Sequence, residues 1–261
     1  MSFFKTKFKK EWMIISVAAV AILIIWFHGP ISQDVDYNDF VDQRMYFGLP
    51  NTWNVASNIA FILVGGTGII FLTRLLIGYG FDVILVEYLL FFIGVTLTGV
   101  GSAYYHYNPT DESLVWDRLP MAIAFMSFFC SVISERINRK AGAAMLLPLL
   151  VFGILSVLYW TWGEKAGHGD LRMYVVVQFV PMILVIAILL LYESPKTYWT
   201  AVVSLLVMYF VAKVCESFDG EIYAVGNILS GHTLKHLFAA LGTFCILKML
   251  YSRRAEFSAL P

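Results

Sequence analysis

The last apolar segment of the chain begins with Gly231-His232-Thr233-Leu234-Lys235-His236-Leu237-Phe238. In a helix, residues four apart lie on one face with Cβ atoms about 5–6 Å apart, so His232 and His236 can point two imidazoles at one object. Imidazoles are rare and costly inside a membrane, so a pair on one face needs a reason. A metal ion is the natural object, and its remaining ligands must come from elsewhere in the chain.

The composition of the 261-residue chain is that of an integral membrane protein. Hydrophobic residues make up 59% of it and charged residues only 14%, unlike an ordinary soluble domain. Apolar runs of about 17–25 residues recur along the whole length, which is typical of transmembrane helices. The net charge is zero and the N-terminal tail holds the only basic tract, so no nucleic-acid partner is expected. Cys130, Cys215 and Cys245 lie in apolar stretches and are interpreted as packing residues.

The apolar runs predict eight transmembrane helices, over residues 12–27, 52–73, 84–107, 114–134, 143–161, 172–192, 198–217 and 227–250. The predicted fold class is an all-α integral membrane protein, a seven-transmembrane-helix bundle preceded by one extra N-terminal transmembrane helix. We divide the chain into a tail with the extra helix (1–33), an acidic extracytoplasmic loop (34–50), the seven-helix core (51–252) and a cytoplasmic tail (253–261). No Ala-x-Ala-like cleavage site follows the first run, so we interpret it as a retained helix.

The distribution of charge predicts the orientation in the membrane. With the N-terminus inside, the inner side collects most of the Lys and Arg residues, and the loop Glu135–Lys140 is the clearest case. The outer side collects most of the acidic residues, including those of the loop 34–50. This bias satisfies the positive-inside rule with an even number of spans. Both termini are therefore expected to be cytoplasmic.

Polar residues inside the predicted helices gather at one depth, toward the extracytoplasmic leaflet. They are Asn54, Ser57, Asn58, Ser102, His106, Asp117, Arg118, Gln178, Lys213, Glu216, His232, Lys235 and His236. Ionisable groups scattered over both leaflets would indicate snorkelling, whereas a single layer indicates a site. We interpret Lys213 and Glu216, three residues apart on one helix face, as a charge-compensating pair.

Three members of this layer, His106, His232 and His236, are the number of imidazoles that a catalytic zinc takes while leaving one position for water. Ser102 lies one helical turn before His106 on the same face. Asp117 lies on the next helix at the same depth, where a carboxylate can accept a proton or orient a ligand. Pro120 is expected to loosen the first turn of that helix, so that Asp117 leans into the cavity.

Three stretches in this order resemble a known family: Gly101-Ser102-Ala103-Tyr104-Tyr105-His106, Trp116-Asp117-Arg118-Leu119-Pro120-Met121 and His232-Thr233-Leu234-Lys235-His236. They are similar to the Ser-x3-His, Asp and His-x3-His motifs of the alkaline ceramidase family. That family belongs to the CREST superfamily of seven-helix membrane hydrolases, which also holds the adiponectin receptors. Asn54-Val55-Ala56-Ser57-Asn58 resembles the family's Asn-x-x-Ser-Asn. The resemblance covers roughly residues 34–250, leaves the first helix outside the seven-helix core, and is greatest to the bacterial branch.

The resemblance implies a seven-helix bundle enclosing zinc, with His106, His232 and His236 as ligands and with Ser102 and Asp117 completing the site. It implies hydrolysis of the amide bond of ceramide to a sphingoid base and a fatty acid. It also implies a calcium site before the first core helix, where this chain carries Asp36, Asn38, Asp39 and Asp42. Oxygen ligands suit Ca²⁺. The spacing departs from the family's pattern and Asn51 stands where an acid is expected, so a solvated acidic loop is the alternative.

The resulting hypothesis is an intramembrane zinc-dependent amidohydrolase that cleaves ceramide-like lipids with zinc-bound water. Asp117 would take the proton and pass it to the leaving amine, while Ser102 and zinc stabilise the oxyanion. The substrate partner is a membrane lipid, either ceramide or another N-acyl lipid.

Two other classes of protein compete with the hydrolase. The first is a lipid-sensing receptor with a structural zinc and no turnover, which ligation of the metal by Asp117 would favour. The second is a proton-coupled transporter, which would need polar groups through the full membrane depth. The inner half of the predicted spans is almost entirely apolar, which argues against the transporter.

Overall fold

The computed structural model describes residues 2–258, and the side chains of residues 9–257. Its helices are α1 (Ser2–Phe27), α2 (Thr52–Ser57), α3 (Ile59–Tyr79), α4 (Val83–Tyr107), α5 (Asp111–Arg136), α6 (Arg139–Lys165), α7 (Arg172–Leu191), α8 (Lys196–Ser217), α9 (Asp219–Ala224), α10 (Gly231–Ser252) and α11 (Arg254–Ser258). Met1 and the last three residues of the predicted C-terminal tail lie outside the described residues.

The fold is an all-α membrane bundle, as predicted. The structure is 80% helical, and residues 2–258 form no strand. Within the same residues, eight helices are long and apolar enough to cross a membrane, if α2 and α3 are counted as one span. The first of them, α1, is mostly exposed and packs chiefly against α7, outside the other seven.

Capping residues move several helix starts away from the predicted ones. Thr110 accepts a hydrogen bond from the backbone of Ser113, whose side chain bonds back to Thr110, so α5 begins three residues before the apolar run. Asn138 caps α6, which likewise begins before its predicted start at 143. Ser230 caps α10, and the prediction that this helix begins at 227 is wrong.

The closest approach between helices lies where α4 crosses α5. A Cβ added to Gly101 would collide with the backbone carbonyl of Trp116, so only glycine permits this spacing. Pro120 has no N–H to donate to the Trp116 carbonyl four residues earlier, so this oxygen lacks its usual helical partner. The helix is continuous through Pro120, and the expected loosening of its first turn stays a prediction.

The other helices pack around this pair. The last span, α10, packs against α8 and α3, whereas α7 packs against α5, α6 and α1. The neighbouring helices α7 and α8 meet through side chains, since Nζ of Lys213 in α8 lies 5.9 Å from the ring centre of Phe179 in α7.

The two ends of the bundle differ in chemistry. We call the end that holds His106, His232 and His236 the histidine end. The opposite end holds Glu87, which is fully buried and accepts a hydrogen bond from Ser134 at 2.7 Å. This carboxylate corrects the expectation of an almost wholly apolar inner half.

Candidate functional site

Three buried histidines converge at the histidine end of the bundle. His106 lies in the last turn of α4, and His232 and His236 lie one turn apart at the start of α10. The Nε2 atom of His106 is 3.3 Å from Nε2 of His232 and 3.3 Å from Nε2 of His236. Each residue offers one ligand atom, and these atoms all lie within 4.8 Å of one another, so the three side chains could hold a metal ion.

A hydrogen-bond chain fixes the orientation of one imidazole. The Ser57 hydroxyl donates to the carbonyl of Asn54 at 3.0 Å, so its oxygen accepts the N–H of His236 Nδ1 at 2.8 Å. The Nε2 atom of His236 then carries a lone pair and lies 3.3 Å from Nε2 of His106. A neutral imidazole held in this tautomer can offer Nε2 to a metal ion. The sequence placed Ser57 in the polar layer but did not predict this contact.

Aromatic rings and one amide close the histidine cluster. The ring of Phe40, from the loop 28–50, lies 4.6 Å from the ring of His106 and 4.8 Å from that of His232. The side-chain amide of Asn51 donates to the backbone carbonyl of His106 at 2.9 Å. Phe40 carried no sequence signal, because its role depends on how the loop folds back over the bundle.

The same loop is fastened at both of its ends. Ile31 donates its N–H to the Asp170 carboxylate at 3.2 Å and accepts the N–H of Leu171 at 2.8 Å. Near the other end, the Arg44 guanidinium donates to the carbonyls of Asn227 and Ile228 at 2.9 and 2.8 Å. The loop therefore bridges the start of α7 and the segment before α10, above the histidines.

Ser102 and Asp117 face each other across the contact between α4 and α5. Both side chains are buried, and the Ser102 hydroxyl lies within hydrogen-bonding reach of the Asp117 carboxylate. They line one cavity together with His236. Asp117 is not a member of the group of candidate metal ligands. The structure thus brings Ser102 and Asp117 to one cavity with His236, which in turn belongs to the cluster with His106 and His232.

The cavity has two chambers that share part of their walls. The polar chamber, of about 200 Å³, is lined by Ser102, Asp117, Arg118, Gln178, Lys213, Glu216, Lys235 and His236 together with aromatic and apolar side chains. The second chamber, of about 110 Å³, is almost wholly apolar and is lined by Phe91, Val95, Phe125, Phe128, Met182 and Leu205 among others. Phe61, Met121 and Tyr209 belong to both walls. A molecule with a polar head and an apolar tail fits this division.

Glu216 is shared between two lysines. It forms an ion pair with Lys213 on its own helix and another with Lys235 of α10, whose Nζ lies 2.8 Å from Oε1. The sequence predicted the first pair. It gave no signal for the second, because α8 and α10 meet only through tertiary packing.

The candidate calcium residues are not gathered around one point. The Asp42 carboxylate is buried and is bound through both oxygens by the Arg44 guanidinium, at 2.7 Å each. This hydrogen bonding raises the pKa of the Arg44 side chain above its ordinary value. The Asn38 amide donates to Asp111 and accepts from Tyr105. Among residues 2–258, no three acidic side chains come close enough to hold one ion, and calcium binding by Asp36, Asn38, Asp39 and Asp42 stays a prediction.

Two comparisons with known proteins bear on this site. A search of curated proteins found no match. A protein-family model described as Ceramidase matches residues 49–257, which is well over half of the chain and includes all three histidines, Ser102 and Asp117. The matched region begins after α1, at the end of the loop 28–50. The chain therefore belongs to the ceramidase family.

Proposed function

We propose that this protein is a zinc-dependent amidohydrolase that cleaves the N-acyl amide bond of ceramide-like lipids to a sphingoid base and a fatty acid. The observation that carries the proposal is a cluster of three buried imidazoles, one of which, His236, lines a polar chamber together with the Asp117 carboxylate, next to an apolar chamber. Membership of the ceramidase family supports the same reaction.

The three histidines fit zinc. Ligands at about 2.0–2.1 Å in a tetrahedral arrangement lie about 3.3 Å apart, which matches the separations of His106 Nε2 from its two neighbours. Zinc held there would supply Lewis acidity, which acidifies water and polarises a carbonyl. Because Asp117 stands outside the ligand group, three protein ligands leave a position open, which favours the hydrolase over a receptor with a structural zinc.

Asp117 and Ser102 divide the remaining chemistry between them. The Asp117 carboxylate accepts a proton from the attacking water and later delivers it to the amide nitrogen, which leaves as an amine. The Ser102 hydroxyl donates a hydrogen bond to the carbonyl oxygen of the substrate as negative charge develops on it. The contact between Gly101 and Trp116 fixes the distance between these two groups.

The lipid reaches the site from the side of the bundle. Residues of α7 and α8 line the cavity, and the apolar chamber accepts the acyl chain while the amide stays beside Asp117. The end of the bundle opposite the histidine end carries Arg136, Arg139, Lys140 and Lys196. This excess of Lys and Arg supports cytoplasmic termini with the site in the extracytoplasmic leaflet.

Metal content and amide hydrolysis, measured on the same detergent-purified samples, test the proposal. Wild-type protein should hold about one zinc per chain and release fatty acid from ceramide, and His232→Ala should lose both. His168→Ala, which removes an exposed imidazole from the turn between α6 and α7, is the matched control and should retain both. Wild-type protein that holds zinc but hydrolyses no N-acyl lipid would favour the receptor. Protein without zinc would overturn the proposal.

Ser57→Ala should weaken zinc binding by about 10–100-fold, because an outer hydrogen bond orients the His236 imidazole and fixes its tautomer. Competition with a chelator of known affinity measures the effect. Ser156→Ala is the control, since this buried serine of α6 bonds only to the carbonyl of Gly153 on its own helix. Equal zinc affinities for the two variants would contradict the role given to Ser57.

A further inference from the structure

One buried cation in the wall of the polar chamber has no role in the reaction described above. Arg118 directly follows Asp117 in α5, and only 5% of it is exposed. Successive helix positions are turned by about 100°, so the side chains of Arg118 and Asp117 leave the helix in different directions. The two residues therefore border neighbouring parts of the same chamber.

The surroundings of Arg118 hold its guanidinium without neutralising it. Its Nη2 donates to the side-chain carbonyl of Gln33 at 2.6 Å, and its carbon lies 4.1 Å from the ring centre of Trp160 and 5.1 Å from that of Tyr174. Its Nη1 is buried and has no hydrogen-bond partner. No carboxylate of residues 9–257 forms an ion pair with it.

Arg172, at the start of α7 and at the same end of the bundle, is an arginine whose charge is paired with a carboxylate. It also stacks on a tryptophan, with its guanidinium carbon 4.3 Å from the ring centre of Trp26. Unlike Arg118, it is paired with a carboxylate, that of Asp170, at 2.7 Å. At Arg172, stacking on tryptophan is accompanied by an ion pair. Stacking on Trp160 alone therefore does not explain why Arg118 is buried without a carboxylate.

The chamber as a whole carries a surplus of positive charge. Its wall contains the cations Arg118, Lys213 and Lys235 but only the carboxylates Asp117 and Glu216. Glu216 is paired with both lysines, whereas Arg118 forms no ion pair with a described carboxylate. A buried guanidinium with an unpaired N–H group binds oxyanions through short, charge-assisted hydrogen bonds.

We propose that Arg118 recognises an oxyanion on the head of the substrate, so that the enzyme prefers N-acyl lipids with an acidic head group to neutral ones. The inference rests on the proposed hydrolase function and names its substrate class. With the acyl chain in the apolar chamber and the amide at Asp117, the acidic group lies a few bonds from the amide nitrogen. A carboxylate and a phosphate share this chemistry.

Two matched substrate pairs test the preference and distinguish the two acids. N-Palmitoylglycine is compared with N-palmitoylethanolamine, and ceramide 1-phosphate with ceramide of the same acyl chain. Wild-type kcat/KM should favour the acidic member of at least one pair by about tenfold or more. The pair with the larger ratio identifies the acid. Equal or greater kcat/KM for both neutral members would overturn the inference and leave the amidohydrolase proposal standing.

Variants of Arg118 test whether this residue causes the preference for acidic lipids. Arg118→Gln should lower kcat/KM for the preferred acidic lipid about tenfold more than for its neutral partner, and Arg118→Lys should give an intermediate ratio. Arg172→Gln, which removes the stacked arginine outside the cavity, should keep the wild-type ratio. An Arg118→Gln variant that slows both lipids equally would assign Arg118 a structural role and refute the inference.

A binding measurement separates this inference from the proposed reaction. Thermal unfolding in detergent should be shifted upward more by the acidic lipid than by its neutral partner, and Arg118→Gln or Arg118→Lys should reduce the difference. A selective shift without fatty-acid release would support the acidic ligand and refute the hydrolase. Fatty-acid release with equal thermal shifts and equal kcat/KM for the two lipids would support the hydrolase and refute the preference for an acidic head group.

Discussion

Asp117→Asn should lower amide hydrolysis by about 10²–10⁴-fold while the metal content stays at the wild-type level. The amide has nearly the shape of the carboxylate and can still hydrogen-bond to Ser102, so the contact between α4 and α5 is preserved. It cannot accept the proton of water or deliver one to the leaving amine. Because Asp117 lies outside the group of candidate metal ligands, its substitution should not release the ion. Steady-state kinetics and metal analysis on one preparation measure both quantities.

Glu112→Gln is the matched control for this substitution. It removes one negative charge from the same helix, but at an exposed position outside the cavity. We expect wild-type turnover from it. Full turnover of Asp117→Asn would remove Asp117 from the mechanism, and loss of the metal from this variant would instead make the carboxylate a ligand.

Gly101→Ala should lower both the thermal stability and the activity. The new Cβ would collide with the Trp116 carbonyl and would lie 3.3 Å from the backbone nitrogen of Asp117, so the two helices must move apart. Overpacking of this kind costs about 1–3 kcal/mol. A displacement of about 1 Å between catalytic groups can cost about 10²-fold in rate. Thermal unfolding in detergent and fatty-acid release measure the two effects.

Gly66→Ala makes the same chemical change in α3, where the added Cβ meets no atom within 4 Å. This control should keep wild-type activity and stability, since alanine also has the higher helix propensity. If Gly101→Ala behaved like Gly66→Ala, the close contact would not be what aligns Ser102 with Asp117.

Local patterns in the sequence predicted the spans and most of the site. Apolar runs long enough to cross a bilayer gave all eight membrane helices, and the spacing of four residues placed His232 and His236 on one face. The shared membrane depth of the polar residues then predicted that His106 lies at the same end of the bundle. These predictions succeed because bilayer thickness and helix geometry constrain residues that are near one another in sequence.

The features that the sequence could not predict depend on contacts between distant segments. The fold of the loop 28–50 places Phe40 over two histidines, and the packing of α10 on α8 gives Glu216 its second lysine. The missing partner of Arg118 can be recognised only once its neighbours are known. Helix starts shifted for a different reason, since caps such as Asn138 extend a helix beyond its apolar run.

The distribution of the histidines over the chain sets an order of assembly. His106 belongs to α4, whereas its nearest imidazole partner in sequence, His232, follows 126 residues later at the start of the last membrane span. The ribosome therefore delivers all the other spans to the membrane before a complete set of ligands exists. An ion held by these three histidines could not nucleate the early helices, which must recognise one another through contacts such as that of Gly101 with Trp116. Such an ion would bind only after the last membrane span had joined the bundle.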